Sequence, residues 1–315
     1  MKTLLTLGET LACFMPEASG PLRYVTGYRM TLAGAESNLA INAAKLGIPS
    51  RWFSRLGRDE FGAFVCNRIR GEGVDCRSVV FDAEHPTGLM FKQIGAGETR
   101  VTYYRAGSAA SFLAPEDITP DLFEGVGLLH LTGITPVLSE SCRDAVLAAA
   151  QMARAQGIPL SFDPNIRRKL WHGTDHTPLL RQLALQSTVL LLGREEAEAL
   201  FGTDDITVLG DTAFAQGVQI IALKDGARGC TVAVPGQPAL SLPPWPCHCV
   251  EPVGAGDAFN AGFLAGWLQG LSPETCGRMG AIAGAMATET PGDIEGTPTR
   301  EQMEAALSGQ AEIYR

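Results

Sequence analysis

The sequence predicts an α/β fold: a mainly parallel central sheet flanked by helices, with a small β lid beside it. Three observations carry that prediction. Short apolar runs alternate with helical patterns of roughly ten to fifteen residues along most of the 315 residues, the signature of βαβ units. Residues 10–32 and 87–105 break that rhythm with apolar–polar alternation and turn glycines, which suits strands projecting from the main sheet as a lid. The composition, 45% hydrophobic and 19% charged, is that of a globular chain, with no repeat, linker or low-complexity tract. Residues 1–315 therefore read as one domain carrying its own lid.

The elements follow in order. "KTLLTLG" is a short apolar strand closed by Gly8. "AESNLAINAAKLG" has helical spacing and stops at Gly47. "SRWFSRLG" reads as the next strand, and "DEFGAFVCNRIRGEG" as a helix with an acidic first turn. "TGLMFKQIGAGETRVTYYR" reads as a hairpin turning at "GAGE". "GLLHLTG", "PLSFDPN" and "STVLLLG" are strands, interleaved with the helices "SCRDAVLAAAQMARAQG" and "REEAEALFG". "VQIIALKDGARGCTVAV" reads as two strands joined by a glycine turn, and Val253 as the end of a further strand-like segment.

The formal net charge of −9, with no basic run, argues against nucleic acid or an anionic membrane as partner. An anionic small molecule would need locally placed Arg or Lys. The uncharged stretch 229–250 holds five prolines, and 258–273 falls short of the ~20 residues a membrane helix needs. The first residues, "MKTLLTLGET", do not read as a secretory signal, so a cytoplasmic protein with reduced thiols is expected. The eight cysteines are scattered. "CHC" at 247–249 lacks a second ligand pair at finger-like spacing and reads as part of a strand-like segment.

"VGAGDAFNAGFLAGWLQG" brings chemistry into view. Gly254-Ala255-Gly256 precede a buried helical pattern, and a glycine turn at a helix N-terminus exposes N–H groups to an anion such as phosphate. Asp257 is open to two readings there: a helix cap, or an acid aimed into a cleft to take a proton from an attacking hydroxyl.

A second segment, "LAGAESNLAINAAKLGIPSRWFSRLG", sets Ala33-Gly34, Asn38, Ala40, Gly47 and Gly57 at fixed offsets. Together with Gly254-Ala255-Gly256-Asp257 and Ala261-Gly262, it resembles the two signatures of the ribokinase-like (PfkB) carbohydrate kinases over nearly the whole chain. The resemblance implies a three-layer ribokinase-like sandwich and phosphoryl transfer from ATP to a sugar hydroxyl. It makes Asp257 the base, Gly254, Ala255 and Gly256 the anion hole, and Mg²⁺ the bridge between phosphate oxygens. "LKDGARGC" resembles the family's nucleotide loop through Lys224, Gly226 and Gly229; a plain β-turn reads equally well. Glu196 falls on the Glu of an Asn-x-x-Glu motif that holds Mg²⁺ through water, though Gly193 replaces the Asn, and a helix with an acidic first turn explains Glu196 as well. Glu251 departs from the pattern where the family binds a monovalent cation, which leaves activation by K⁺ open.

Two Arg-bearing segments bear on the substrate. "TYYRAGSAAS" brings Tyr103 and Arg105, and "FDPNIRRKLW" brings Arg167, Arg168 and Lys169. Arginine suits bidentate capture of a carboxylate, so a sugar acid is expected over a neutral sugar; surface cations in loops are the plain alternative. With "GAESN", these segments resemble the branch of the family that phosphorylates 2-keto-3-deoxygluconate to its 6-phosphate. The resemblance gives sugar contacts to Gly34, Asn38, Tyr103, Arg105, Arg167 and Asp293, and the nucleotide side to Asn165 and Arg167. Leu89 stands where relatives often offer a Tyr. Kinases for fructose, ribose or an isomeric deoxy-keto acid, and a sugar sensor without catalysis, stay open as alternatives. A homo-oligomer formed through the lid strands is compatible with the sequence, which does not fix a number.

Overall fold

The computed structural model describes residues 2–95 and 99–309. In chain order come β1 (Thr3–Leu7), β2 (Leu11–Pro16), β3 (Tyr28–Ala33), α1 (Ala35–Lys45), β4 (Ser50–Phe53), β5 (Arg55–Gly57), α2 (Glu60–Gly71) and β6 (Val80–Asp82). The antiparallel pair β7 (Leu89–Ile94) and β8 (Thr99–Tyr104) is next. Then follow β9 (Val126–Thr132), α3 (Glu140–Ala155), β10 (Leu160–Asp163), α4 (Thr177–Gln186), β11 (Val189–Gly193), α5 (Arg194–Phe201) and α6 (Ile206–Phe214). The chain continues through β12 (Ile220–Lys224), β13 (Cys230–Ala233), β14 (Leu240–Leu242), α7 (Ala255–Leu268), α8 (Pro273–Ala287) and α9 (Arg300–Leu307).

The main sheet runs β14-β13-β12-β11-β10-β9-β1-β4. From β4 to β12 every pairing is parallel, and β13 and β14 complete the edge antiparallel. Successive strand residues face opposite ways. Leu5, Leu129, Phe162, Leu190 and Ile221 pack in one core with residues of α3, α4, α5 and α6. Leu4, Leu128, Val189, Leu191 and Ile220 pack in another with α1, α7, α8 and α9. The expected helix–sheet–helix layering is what the chain adopts. Each fully buried Leu contributes roughly 1.5–3 kcal/mol. A helix cap contributes about 1 kcal/mol, so the two cores dominate stability and the caps set where helices begin.

The lid is a second sheet, β3-β2-β7-β8, as residues 10–32 and 87–105 lead one to expect. The "GAGE" turn of its hairpin lies, at Ala96 to Glu98, outside the described residues. Trp52, Ile41 and Val65 pack with Ala12 and Leu32 beneath this sheet and fix it to the main body. Two expectations need correction. Residues 243–253, including the "CHC" cluster and Val253, are not a strand, because Pro243, Pro244, Pro246 and Pro252 remove the N–H groups a ladder requires. "SRWFSRLG" is two strands, β4 and β5, which pair in different sheets. Among the described residues no helix is long and apolar enough to cross a membrane, and the cysteines are free.

Candidate active site

In parallel sheets, ligands bind beyond the carboxyl ends of the strands, and the cleft of this protein lies there. Asp163, Gly193 and Lys224 end β10, β11 and β12, and the residues up to Arg167, Glu196 and Gly229 follow them. The N-terminus of α7 meets these loops. A cavity of ≈ 380 Å³ is lined by Asp163, Asn165, Arg167, Glu196, Lys224, Pro252, Val253, Gly254, Gly256 and Asp257. A second, of ≈ 640 Å³, continues past Arg167, Glu196 and Lys224 to Gly193, Arg194, Asp225, Gly226 and Arg228.

The start of α7 differs from its neighbours. Asp59, Ser139 and Ser272 cap α2, α3 and α8 with side-chain oxygens. The N-cap of α7 is Gly254, at φ 80, and it has no side-chain cap. Glycine is needed there twice over: the backbone is left-handed, and a Cβ would run into the Asp293 carbonyl. The N–H groups of Gly254, Gly256 and Asp257 meet no protein acceptor among the described residues, while that of Ala255 reaches the Pro252 carbonyl at 3.4 Å. The turn therefore offers donors at 254, 256 and 257. Ala255 does not line the cavity.

Asp257 is not the cap. It sits in the first turn with one edge on the cavity, and Asn38 Nδ2 donates to its Oδ2 at 2.9 Å. Burial of the carboxyl by the surrounding protein pushes its pKa up to about 7; the Asn38 hydrogen bond and Lys224 oppose the rise, and Asp163 and Asp293 add to it. A carboxylate poised near neutrality is suited to accept a proton.

Lys224 is held by Asp163 at 2.8 Å and by Asn260 Oδ1 at 3.2 Å, and Asn260 Nδ2 donates to Asp163 at 2.5 Å. Burial works against the charged lysine, but the charges of Asp163 and Glu196 outweigh it and raise its pKa, and Asp163 stays ionised in return. Asn165 is buried at φ 38, rare for a non-glycine residue, with its N–H on Asp163 Oδ1 at 3.1 Å. Glu196 accepts from the N–H groups of Ile166 at 2.9 Å and Gly193 at 2.8 Å, so it ties two loops together and caps α5. Burial and then Asp163 raise its pKa. Arg167 is exposed at the junction of both cavities. Gly226 lines the second cavity; Gly229 lines neither and serves packing instead, since a Cβ there would strike the Leu242 carbonyl.

On the lid side the predicted residues come together unevenly. Arg105 is ion-paired with the buried Glu9, which also accepts from Ser108 Oγ at 2.5 Å. Arg105 Nε and Asn38 Oδ1 are buried without hydrogen-bond partners among the described residues, one donor and one acceptor left for a ligand. The Arg105 guanidinium lies 5.5 Å from the Tyr103 ring centroid, and Tyr103 is exposed on β8. Gly34 caps α1 where any Cβ would meet Glu9 and Thr10. Asp293 lines neither cavity: it is buried against Lys92 Nζ at 2.9 Å.

Sequence reading passes over Asp163, Asn260, Glu9 and Lys92. Asp163 was available in "FDPN". Lys92 carried a weaker signal, a lysine in register with the buried Met90 on an alternating strand. Glu36, buried and accepting from Thr132 and Thr135 at 2.6 and 2.7 Å, gave none.

Comparison with known proteins identifies the family. The model of the pfkB family of carbohydrate kinases matches residues 1–300. A 2-dehydro-3-deoxygluconokinase of Bacillus subtilis (strain 168) is 35% identical over 316 residues, 99% of this chain and 97% of that protein. A fructokinase of Klebsiella pneumoniae is 32% identical over 96% of this chain and 98% of its own. Among solved structures, a PfkB protein from Polaromonas sp. JS666 has a TM-score of 0.87 at 32% identity, covering 97% of this chain and all of that one (100%). A putative ribokinase II from E. coli, in complex with ATP and Mg²⁺, has a TM-score of 0.91 at 22% identity over 98% of this chain and 100% of its own, a likeness of fold. The chain belongs to the pfkB family of carbohydrate kinases, with the family's α/β ribokinase-like fold, and is a sugar kinase, a phosphotransferase.

Proposed function

We propose that this kinase transfers the γ-phosphoryl group of ATP to the 6-hydroxyl of 2-keto-3-deoxygluconate, also called 2-dehydro-3-deoxygluconate. The observation that carries the catalytic part is the hydrogen bond from Asn38 to Asp257, a residue that lines the first cavity, which joins segments 219 residues apart. Asp257 orients the sugar hydroxyl and takes its proton as the oxygen attacks phosphorus. The free N–H groups at 254, 256 and 257 face the charge on the transferred phosphoryl group, in a site already organised for it. Lys224 and Arg167, shared by both cavities, lie where the nucleotide phosphates would pass, and Gly226 and Asn165 form walls of that path.

Mg²⁺ fits these residues as a companion of the nucleotide. No cluster of three or more metal-ligating side chains exists among the described residues, but Asp163, Glu196 and Asp257 all line the first cavity. Mg²⁺ characteristically binds through phosphates, waters and one or two carboxylates. Glu196, with both oxygens already accepting N–H bonds, would act through water. Bound Mg²⁺ would neutralise phosphate charge during transfer.

The acid substrate is supported by the orphan donor on Arg105 and by the 35% identity to a 2-dehydro-3-deoxygluconokinase. Arg105 would share its guanidinium between Glu9 and the substrate carboxylate. Tyr103, Gly34 and Asn38 would complete the sugar side. A competing reading is favoured by the 32% identity to a fructokinase. Purified enzyme assayed with the keto-deoxy acid, its isomers, fructose and ribose separates the two. The acid should give the highest kcat/KM; an equal or better value for fructose or ribose would discard it.

A further inference from the structure

Lys92 lies on lid strand β7 and is 1% exposed, one of the largest fully buried side chains of the protein. A buried ammonium is costly unless well paired. Here Nζ is 2.9 Å from Asp293 Oδ1 and 3.2 Å from Glu251 Oε1. Burial works against the charged amine, but the Asp293 and Glu251 carboxylates outweigh it and raise its pKa, so it stays protonated. The neighbouring Cys13 thiol is pushed up to about 12 by burial and stays neutral.

Both partners bracket the start of α7. Glu251 stands three residues before Gly254 and accepts the Gly292 N–H at 3.0 Å through its other oxygen. The Asp293 backbone packs against Gly254 so closely that no side chain could replace the glycine hydrogen. The lid, the 251–254 turn and the 292–293 turn therefore meet at one ammonium group. A soluble monovalent cation does not fit between these carboxylates, because the place is taken by the chain's own cation.

We propose that Lys92 is a positioning residue: a built-in cation that ties the lid to the phosphoryl-binding turn and makes turnover independent of K⁺. The inference rests on the role given above to the α7 N-terminus. Removing the side chain leaves two buried carboxylates facing a gap, which a small cation can enter.

The test measures steady-state kinetics at constant ionic strength with K⁺, NH₄⁺, methylammonium or tetramethylammonium as the cation. Wild-type kcat should change less than about twofold among them, well below the on-the-order-of 10²-fold loss expected when a reacting group is misplaced. Lys92→Ala should lose on the order of 10²-fold in kcat in tetramethylammonium. NH₄⁺, methylammonium or K⁺ should restore at least about tenfold of that, a small ion standing in for the lost ammonium. The KM for ATP should move far less than kcat. A wild-type enzyme that needs K⁺ overturns the proposal without any variant being made. So does a Lys92→Ala enzyme that folds, by circular dichroism, yet keeps its kcat or gains nothing from small cations. Wild-type turnover in Asp257→Asn would instead remove the assignment of the α7 N-terminus, so the two failures are distinguishable.

Discussion

The two walls of the cleft are built in different ways. On the nucleotide side many contacts are local: Asn165 to Asp163 spans two residues, Gly193 to Glu196 three, and Arg228 to Asp225 three, while the longer ones, Ile166 to Glu196, Lys224 to Asp163 and Asn260 to Asp163, span 30, 61 and 97. On the sugar side they are distant: Asn38 to Asp257 spans 219 residues, Lys92 to Asp293 201, and Ser108 to Glu9 99. The first wall is a set of turns at strand ends, shaped by their own residues and tied to one another across neighbouring strands. The second exists only once lid, α1 and α7 have packed. Substitutions on the sugar side should therefore disturb catalysis and specificity more than those on the nucleotide rim.

The largest effect is expected at the junction of the two walls. Asp257→Asn keeps the shape and the Asn38 contact but cannot accept a proton. Its kcat should fall by roughly 10²–10⁴-fold, the range for general-base catalysis, with the KM for sugar changed little. Single-turnover measurements would locate the loss in the chemical step. Turnover like the wild type would refute the role of Asp257 and leave positioning alone as the catalyst.

Next comes Arg105. Its unpartnered Nε suits a carboxylate, and charge-assisted hydrogen bonds are worth about 1.5–3 kcal/mol. Arg105→Ala should raise KM for the keto-deoxy acid by roughly 10–100-fold while leaving that for fructose nearly unchanged. Equal rises for both would make Arg105 a structural partner of Glu9.

The same contrast explains what could be read from the chain beforehand. The parallel sheet and the lid were legible because strand and helix periods differ and each run carries its own pattern. Gly254 to Asp257 stood out because a turn's donors lie within one contiguous segment. Lys92 was not legible as a site residue, since a lysine on a lid strand ordinarily faces solvent, and its two carboxylate partners are 159 and 201 residues away. The substrate contact given to Asp293 rests on the family resemblance, and nothing near it in sequence reveals its pairing with Lys92. Residues 243–253 were misread from their β-branched and apolar content, although their prolines argued against a ladder.

A smaller effect is expected from pH. Burial raises the Asp257 pKa to about 7, and the base works only when ionised. For kcat/KM, activity should hold above that value and decline as pH falls through it, to roughly one tenth at pH 6. Asn38 lowers the Asp257 pKa by donating to the charged form. Asn38→Ala should therefore move the acid limb to higher pH. A limb unmoved by that change would assign the titration to another group.

The smallest effect should come from the nucleotide rim. Arg228 lines the second cavity and pairs with Asp225 at 2.6 Å, but its side chain is 78% exposed. Water and salt screen such a cation, and exposed pairs of this kind contribute little. If the nucleotide is held mainly by backbone turns and by Lys224, Arg228→Ala should raise KM for ATP by less than about fivefold. Lys224→Met, which strips a partly buried cation from Asp163, should raise it more. A rise from Arg228→Ala that matches or exceeds that of Lys224→Met would mean the rim grips phosphate through surface charge. The nucleotide wall would then depend on side-chain pairing as the sugar wall does, and the difference between the two would be one of distance along the chain alone.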